Sequence, residues 1–256
     1  MLTRRTALFG VVLISQLVGM VLAVGLAVVR GETAPSPADL GWSVLAGIAG
    51  VVGITALYRG LAVGRMGIVA PVTGVIAALI PVAAGIALEG VPPSLVLAGI
   101  GLAVVAVLLV SRVSDDGGGP SGIGLALLAG VGIGALSVCI SQIGDGHVFG
   151  PLVVIRATQA VLIAGVIVLT RAAWRPERRL LPAIAAVGVL DMAGNGAFIL
   201  AVQSGALAVA AVLSSLYPVT TVILATIVLH ERVTRSHAAG IALAVAAVAC
   251  IAAGSG

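Results

Sequence analysis

Ala98-Gly-Ile-Gly-Leu-Ala-Val-Val-Ala-Val107 contains no charged and no polar side chain, and 141 positions later the chain reads Ala239-Gly-Ile-Ala-Leu-Ala-Val-Ala-Ala-Val248. Such a run has no polar face to turn toward water, which points to a helix surrounded by lipid or by other helices. The same displacement lays Gly64-Arg-Met-Gly-Ile-Val-Ala70 on Gly205-Ala-Leu-Ala-Val-Ala-Ala211. Two separate matches at one offset indicate an internal duplication.

The rest of the chain has the same character. Of its 256 residues, 61% are hydrophobic and 9% charged, against roughly 25% charged in a soluble domain. Mean hydropathy is +1.28. Most of the outer surface must therefore face hydrocarbon, making this an all-α membrane protein. The 35 glycines suit close helix contacts, and the pairs Gly60/Gly64 and Gly130/Gly134 are spaced for them.

A helix needs about 20 residues to cross a hydrocarbon core of about 30 Å. Nine runs are candidates, some of them short: Ala7–Val29, Trp42–Leu61, Met66–Leu88, Leu95–Ser111, Gly122–Ser141, Pro151–Thr170, Leu181–Val202, Leu207–Leu229 and Ala238–Ala253. The Gly-rich stretch 112–121 reads as a linker between a first repeat, 1–111, and a second, 122–256. Gly117, Gly119 and Gly122 match a dinucleotide fingerprint only formally, since no strand precedes them. The offset leaves the run Gly122–Ser141 without a first-half counterpart. The expected architecture is four helices plus five, from a five-plus-five parent whose opening helix is absent here. Either the start lies too far downstream or the protein works with nine.

All thirteen basic residues are Arg. By loop parity one side holds Arg4, Arg5, Arg59, Arg65, Arg112, Arg171, Arg175, Arg178, Arg179, Arg232 and Arg235, while the other holds Arg30. This asymmetry places the first side in the cytoplasm, with the N-terminus inside and the C-terminus outside a cell (inner or plasma) membrane. Short Arg-bearing loops of this kind are not a nucleic-acid groove. Cys139 and Cys250 sit in apolar runs without ligand spacing, so neither a metal nor another cofactor is expected.

The run Ala70-Pro-Val72, the helix through Pro81 to Leu88-Glu89, and the later Leu216-Tyr-Pro-Val219 helix ending in Leu229-His-Glu-Arg232 before Gly240 carry a family pattern. Over nearly its whole length the chain resembles the EamA-type members of the drug/metabolite transporter superfamily. The resemblance implies a ten-helix inverted repeat that moves small metabolites, with both termini cytoplasmic. This chain departs from the pattern in lacking one helix, in the external C-terminus its Arg distribution indicates, and in Glu89-Gly90-Val91, which keeps the acid but not the Arg.

Asp191 is the outstanding polar residue, ten residues into its run and so about 15 Å deep, where an Asp costs roughly 2.5–3.5 kcal/mol unless it faces a cavity or partner. Asn195 shares its face. The pair reads as a proton-coupling or substrate-amine site, or as a polar contact between helices. Arg156, two turns into its run, either snorkels to the interface, pairs with Asp191 or binds a substrate carboxylate, and Gln159 lies near it on the same helix. Tyr217 and Pro218, with Ser214, Ser215, Thr220 and Thr221, form a polar mid-membrane stretch; Pro218 marks a helix break, and Pro71 and Pro81 mark its first-half equivalents. Ordinary interhelical hydrogen bonding is the plainer reading of these hydroxyls. Tyr58 joins Tyr217 and Ser214 as a candidate solute-coupling residue, or with Arg59 and Trp42 suits the membrane interface, while Gln142, Asp145 and His147 read as a solvated loop.

No ATP-binding or hydrolase motif occurs. The expected function is a secondary transporter, an exporter of a small metabolite by alternating access, proton-coupled or exchanging. Its partners are the solute and the bilayer, with a homodimer compatible with the sequence. A non-transporting scaffold is the alternative, and an intramembrane lipid-processing enzyme a more distant one.

Overall fold

In a computed structural model of the chain, residues 8–64, 66–110, 122–172, 174–205, 207–215 and 235–254 are described. Among them no strand forms. The helices are α1 Leu8–Arg30, α2 Pro37–Val63, α3 Met66–Glu89, α4 Ser94–Val110, α5 Ile123–Ser141, α6 Phe149–Thr170, α7 Leu181–Ser204, α8 Leu207–Ser215 and α9 Arg235–Gly254, with a 3₁₀ turn at Arg178–Leu180 leading into α7. Six helical stretches are long and apolar enough to cross a membrane: Phe9–Arg30, Pro37–Val63, Val72–Glu89, Ile123–Ser141, Phe149–Thr170 and Arg178–Ser204. Ser94–Ala106 and Ala238–Ile251 are apolar but shorter. The count of nine crossings is therefore not reached among the described residues. The linker 112–121, Tyr217 and Pro218 lie outside them.

Local chemistry explains several boundaries. α2 starts five residues before Trp42 because Ser36-Pro37-Ala38-Asp39 is a capping box: Ser36 Oγ accepts the Asp39 N–H at 3.1 Å, and the Asp39 carboxylate accepts the Ser36 N–H at 3.3 Å. Pro37 supplies a first helical residue that needs no donor. α1 ends where Gly31 takes a left-handed φ of 63°. The Gly31 and Glu32 N–H groups then bond back to Val28 and Ala27 at 3.1 and 3.0 Å, a Schellman closure that suits a residue without Cβ. Pro71 and Pro81 do not break α3, which runs unbroken from Met66 to Glu89. Each removes one rung of the ladder, a loss that a transmembrane helix packed among neighbours tolerates.

Pro37, where α2 begins, and Arg178, where the 3₁₀ turn before α7 begins, are 141 positions apart. α5 has no counterpart at this displacement.

The chain forms two compact units, each drawing on both halves of the sequence. One comprises Met1–Val52 and Leu136–Ser204, the other Gly53–Ala135 and Gly205–Gly256. In the first, α1 packs along α6 and α7 around buried Leu152, Ile155, Ile163, Met192 and Ile199. Glu32, just past the end of α1, hydrogen-bonds the first residues of α6, so those two helices run antiparallel. A Cβ on Gly188 of α7 would stand 2.5 Å from the carbonyl oxygen of Ser15 on α1, so that crossing requires a residue without a side chain. In the second unit α3 packs along α8 and α4 along α9. Glu89 at the end of α3 accepts the Leu207 N–H at the start of α8 at 3.1 Å, and Gly254 at the end of α9 lies against Val96 near the start of α4. Both of these pairs are antiparallel as well. Val29, Val168, Leu169, Leu190 and Val245 are left exposed, an outer surface suited to lipid rather than water.

Candidate functional site

The first unit holds the polar cluster of interest. Arg156 projects from the second turn of α6 and is 1% exposed, so it does not snorkel. Its Nη1 donates to Gln16 Oε1 of α1 and to Asp191 Oδ2 of α7. Three apolar helices thus meet at one guanidinium. Asp191 lies ten residues from the start of α7, about 15 Å along it, and its side chain keeps 49% of its exposure. Asn195, one turn on, donates through Nδ2 to the Asp191 backbone oxygen at 2.9 Å and to Oδ1 at 3.4 Å. The carboxylate is therefore oriented from both sides: by a charge from α6 and by an amide on its own helix.

The guanidinium is incompletely satisfied: Arg156 Nε and Nη2 are buried without a hydrogen-bond partner among the described residues. Gln159 Oε1 on the same helix and Ser43 Oγ on α2 are likewise buried and unpartnered. Leaving a buried polar group unpaired costs about 1–3 kcal/mol, more for charged groups. Two unpartnered nitrogens on one buried guanidinium are an exception among buried polar groups, which are nearly always hydrogen-bonded. Gly19 of α1 flanks the guanidinium: a Cβ there would lie 3.5 Å from Nε. Gly50, which stands at the offset of Asp191 in the first half, gives room for Gln159, whose Nε2 lies 2.3 Å from where a Cβ would be.

Of the other residues singled out in the sequence, Ser214 is exposed on α8 in the second unit, and Tyr58 is half-buried on α2. Pro81 is fully buried within α3. Gln16 was not singled out, although Ser15-Gln16 is the only polar pair inside the apolar α1 run and so could have been.

A second polar knot forms in the same unit, at the Arg-poor ends of its helices. The Glu32 carboxylate accepts the N–H groups of Phe149 and Gly150 at 2.8 and 2.9 Å, neutralising the positive end of α6. Arg30 lies over the Phe149 ring at 5.5 Å. Asp39 accepts the Gly144 N–H at 2.8 Å and stands 3.9 Å from His147 Nδ1, while His147 Nε2 is 3.0 Å from Thr33 Oγ1. Gln203 Nε2 donates to the carbonyls of Gly144 and His147, each at 3.1 Å. The loop expected to be solvated is thus held by three carboxylate and amide side chains, although Asp145 at its tip stays exposed. No group of three or more His, Cys, Asp or Glu that could hold a metal ion exists among the described residues.

The profile of the EamA-like transporter family matches residues 120–253, just over half the chain. The chain belongs to the EamA-like transporter family. This is a family of membrane transporters, and the apolar helices make this member an integral multi-pass membrane protein. No curated relative matches it. A solved structure, described only as a crystal structure of a protein, superposes with a TM-score of 0.81 at 18% identity, over 98% of this chain and 90% of the other. At that identity the likeness shows a shared fold. It extends across the first half as well, beyond the residues that the EamA-like profile matches.

Proposed function

We propose that this EamA-like protein is a secondary transporter that moves a small solute by alternating access, with Arg156 and Asp191 at its solute-coupling site. The observation that carries the reading is the buried guanidinium held between three apolar helices, paired with a half-exposed carboxylate well inside one of them. An ion pair at this depth is costly and marks a pathway more often than a strut. The antiparallel pairing of α1 with α6, α3 with α8 and α4 with α9 supports an inverted repeat. In such folds the two repeats move as bodies about a midplane site.

Asp191 is the only carboxylate inside a described transmembrane helix away from its ends, so proton coupling falls to it. Export is the direction we adopt, on the family resemblance. The test is uptake of labelled solutes (organic acids, amino acids, nucleosides and small cations) into proteoliposomes with and without a pH gradient. Saturable flux above empty liposomes, driven by the gradient and uncoupled from it by Asp191→Asn, is the expected result. Gradient-driven flux unchanged in that variant would remove Asp191 from the mechanism, and no flux of any solute would return the chain to the scaffold reading.

A further inference from the structure

We propose that the loop between α6 and α7, residues 171–180, binds the headgroup of an anionic phospholipid. The lipid phosphate sits among Arg171, Arg175 and Arg178, its acyl chains run along the last turn of α6, and Trp174 marks the level between them. This goes beyond the transport reading and does not depend on it.

The loop carries Arg171, Arg175, Arg178 and Arg179 against one acid, Glu177, and all five are exposed. Glu177 pairs with Arg179. Arg175 lies over the Trp174 ring, 5.2 Å from its centroid. Among the described residues, the side chains of Arg171 and Arg178 make no ion pair. The equivalent stretch of the first repeat, residues 30–39, is different: it has one arginine and two acids. All three are engaged within the protein, Arg30 over the Phe149 ring, Glu32 on the start of α6 and Asp39 on the Gly144 N–H. One loop thus spends its charges holding helices together, while the other leaves three guanidiniums without a counter-charge. A guanidinium offers paired N–H donors that fit a phosphate.

The loop is also held in place. A Cβ on Gly10 of α1 would collide with the Trp174 carbonyl, so the loop backbone lies directly on α1. Arg171 ends α6 with a φ of 52°, the only left-handed residue other than glycine among the described residues. Just before it, Val168 and Leu169 are 74% and 86% exposed, a strip that suits acyl chains. Trp174 is 43% exposed, and an indole settles at the boundary between tails and headgroups. Tail, boundary and phosphate levels therefore follow one another from Val168 to Arg178. The arginine asymmetry assigns this end to the cytoplasmic leaflet, where anionic lipids concentrate and basic clusters beside helix ends recognise them. Orientation alone requires positive charge on this side. It does not require an arginine stacked on an exposed indole, or a loop docked on a neighbouring helix.

The test uses Trp174 as its own reporter. The chain has two tryptophans, so Trp42→Phe leaves Trp174 alone in the full chain, reconstituted in phosphatidylcholine vesicles. Phosphatidylglycerol with brominated acyl chains should quench Trp174 with a relative affinity at least about tenfold above that of brominated phosphatidylcholine. Arg171→Gln and Arg178→Gln should each lower that preference by about fivefold. Arg179→Gln, whose charge Glu177 already offsets, should change it less than about twofold. Inorganic phosphate in excess, compared with chloride at matched ionic strength, should not relieve the quenching. Equal quenching by the two lipids would overturn the inference, as would a preference untouched in folded Arg171→Gln and Arg178→Gln proteins. An equal loss in all three arginine variants would mean a diffuse surface potential rather than a site, and would also overturn it. Relief by phosphate would make this a site for a soluble anion and remove the lipid. The comparison of lipids needs no arginine variant, so a variant that misfolds does not block the test.

Discussion

Glu32 reaches across from the end of α1 to the start of α6, where its carboxylate accepts the Phe149 backbone N–H at 2.8 Å. A negative charge at a helix N-terminus satisfies orphan donors and opposes the helix dipole. The contact depends on the left-handed turn at Gly31 that swings Glu32 back over the helix end. Glu32→Ala should therefore destabilise the protein by about 1–2 kcal/mol. Gly31→Ala should cost about 1 kcal/mol through backbone strain. Glu177→Ala, which breaks only an exposed pair with Arg179, should cost less than about 1 kcal/mol. Thermal unfolding of the three variants in one detergent checks the ranking, and an equal effect of Glu32→Ala and Glu177→Ala would contradict it.

Gly188 and Gly194 lie on the same helix and should respond oppositely to a methyl group. A Cβ on Gly188 would stand 2.5 Å from the Ser15 carbonyl oxygen, whereas one on Gly194 meets nothing within 4 Å. Gly188→Ala should cost about 1–3 kcal/mol by forcing α7 from α1. Gly194→Ala should be neutral or slightly stabilising, since alanine has the higher helix propensity. Melting temperatures of the two single variants decide this.

Gln16 and Asp191 accept from the same Arg156 nitrogen. Loss of either makes the guanidinium depend more on the other, so their effects should not add. The double variant Gln16→Ala/Asp191→Asn should be less stable than the sum of the singles by about 0.5–3 kcal/mol, the range for residues sharing one partner. A double-mutant cycle on unfolding measures it, and additivity would mean that the two side chains act independently.

The Arg asymmetry makes a topological prediction. In a cysteine-free background, Asp145→Cys in the exposed loop before α6 should react with a membrane-impermeant maleimide from outside the cell. Arg175→Cys, in the loop after α6, should react only after permeabilisation. The reverse pattern would invert the orientation.

Much of the fold was legible because the decisive signal is local. The α3, α5 and α6 boundaries follow the apolar runs to within two residues. α2 was read short because Pro37-Ala-Asp39 looks like loop composition until the Ser36–Asp39 box is recognised. The prolines of α3 were over-read as breaks because a single missing rung is a weak perturbation of a helix packed among others. His147 was read as solvated because neither Asp39 nor Thr33 is near it in sequence.

What the sequence determined by itself was class and placement. So apolar a chain with so few charges belongs in a bilayer, and its runs are helices. These follow from hydrophobicity and the backbone's need for internal hydrogen bonds, properties of a segment and not of its neighbours. Only the tertiary structure decided that Arg156 turns inward to Gln16 and Asp191, which lie 140 and 35 positions away along the chain. It likewise decided that Nε and Nη2 go unmatched. Which face a uniformly apolar helix buries depends on close approaches such as Ser15 to Gly188, and a helix apolar on every side does not encode that choice in its own residues.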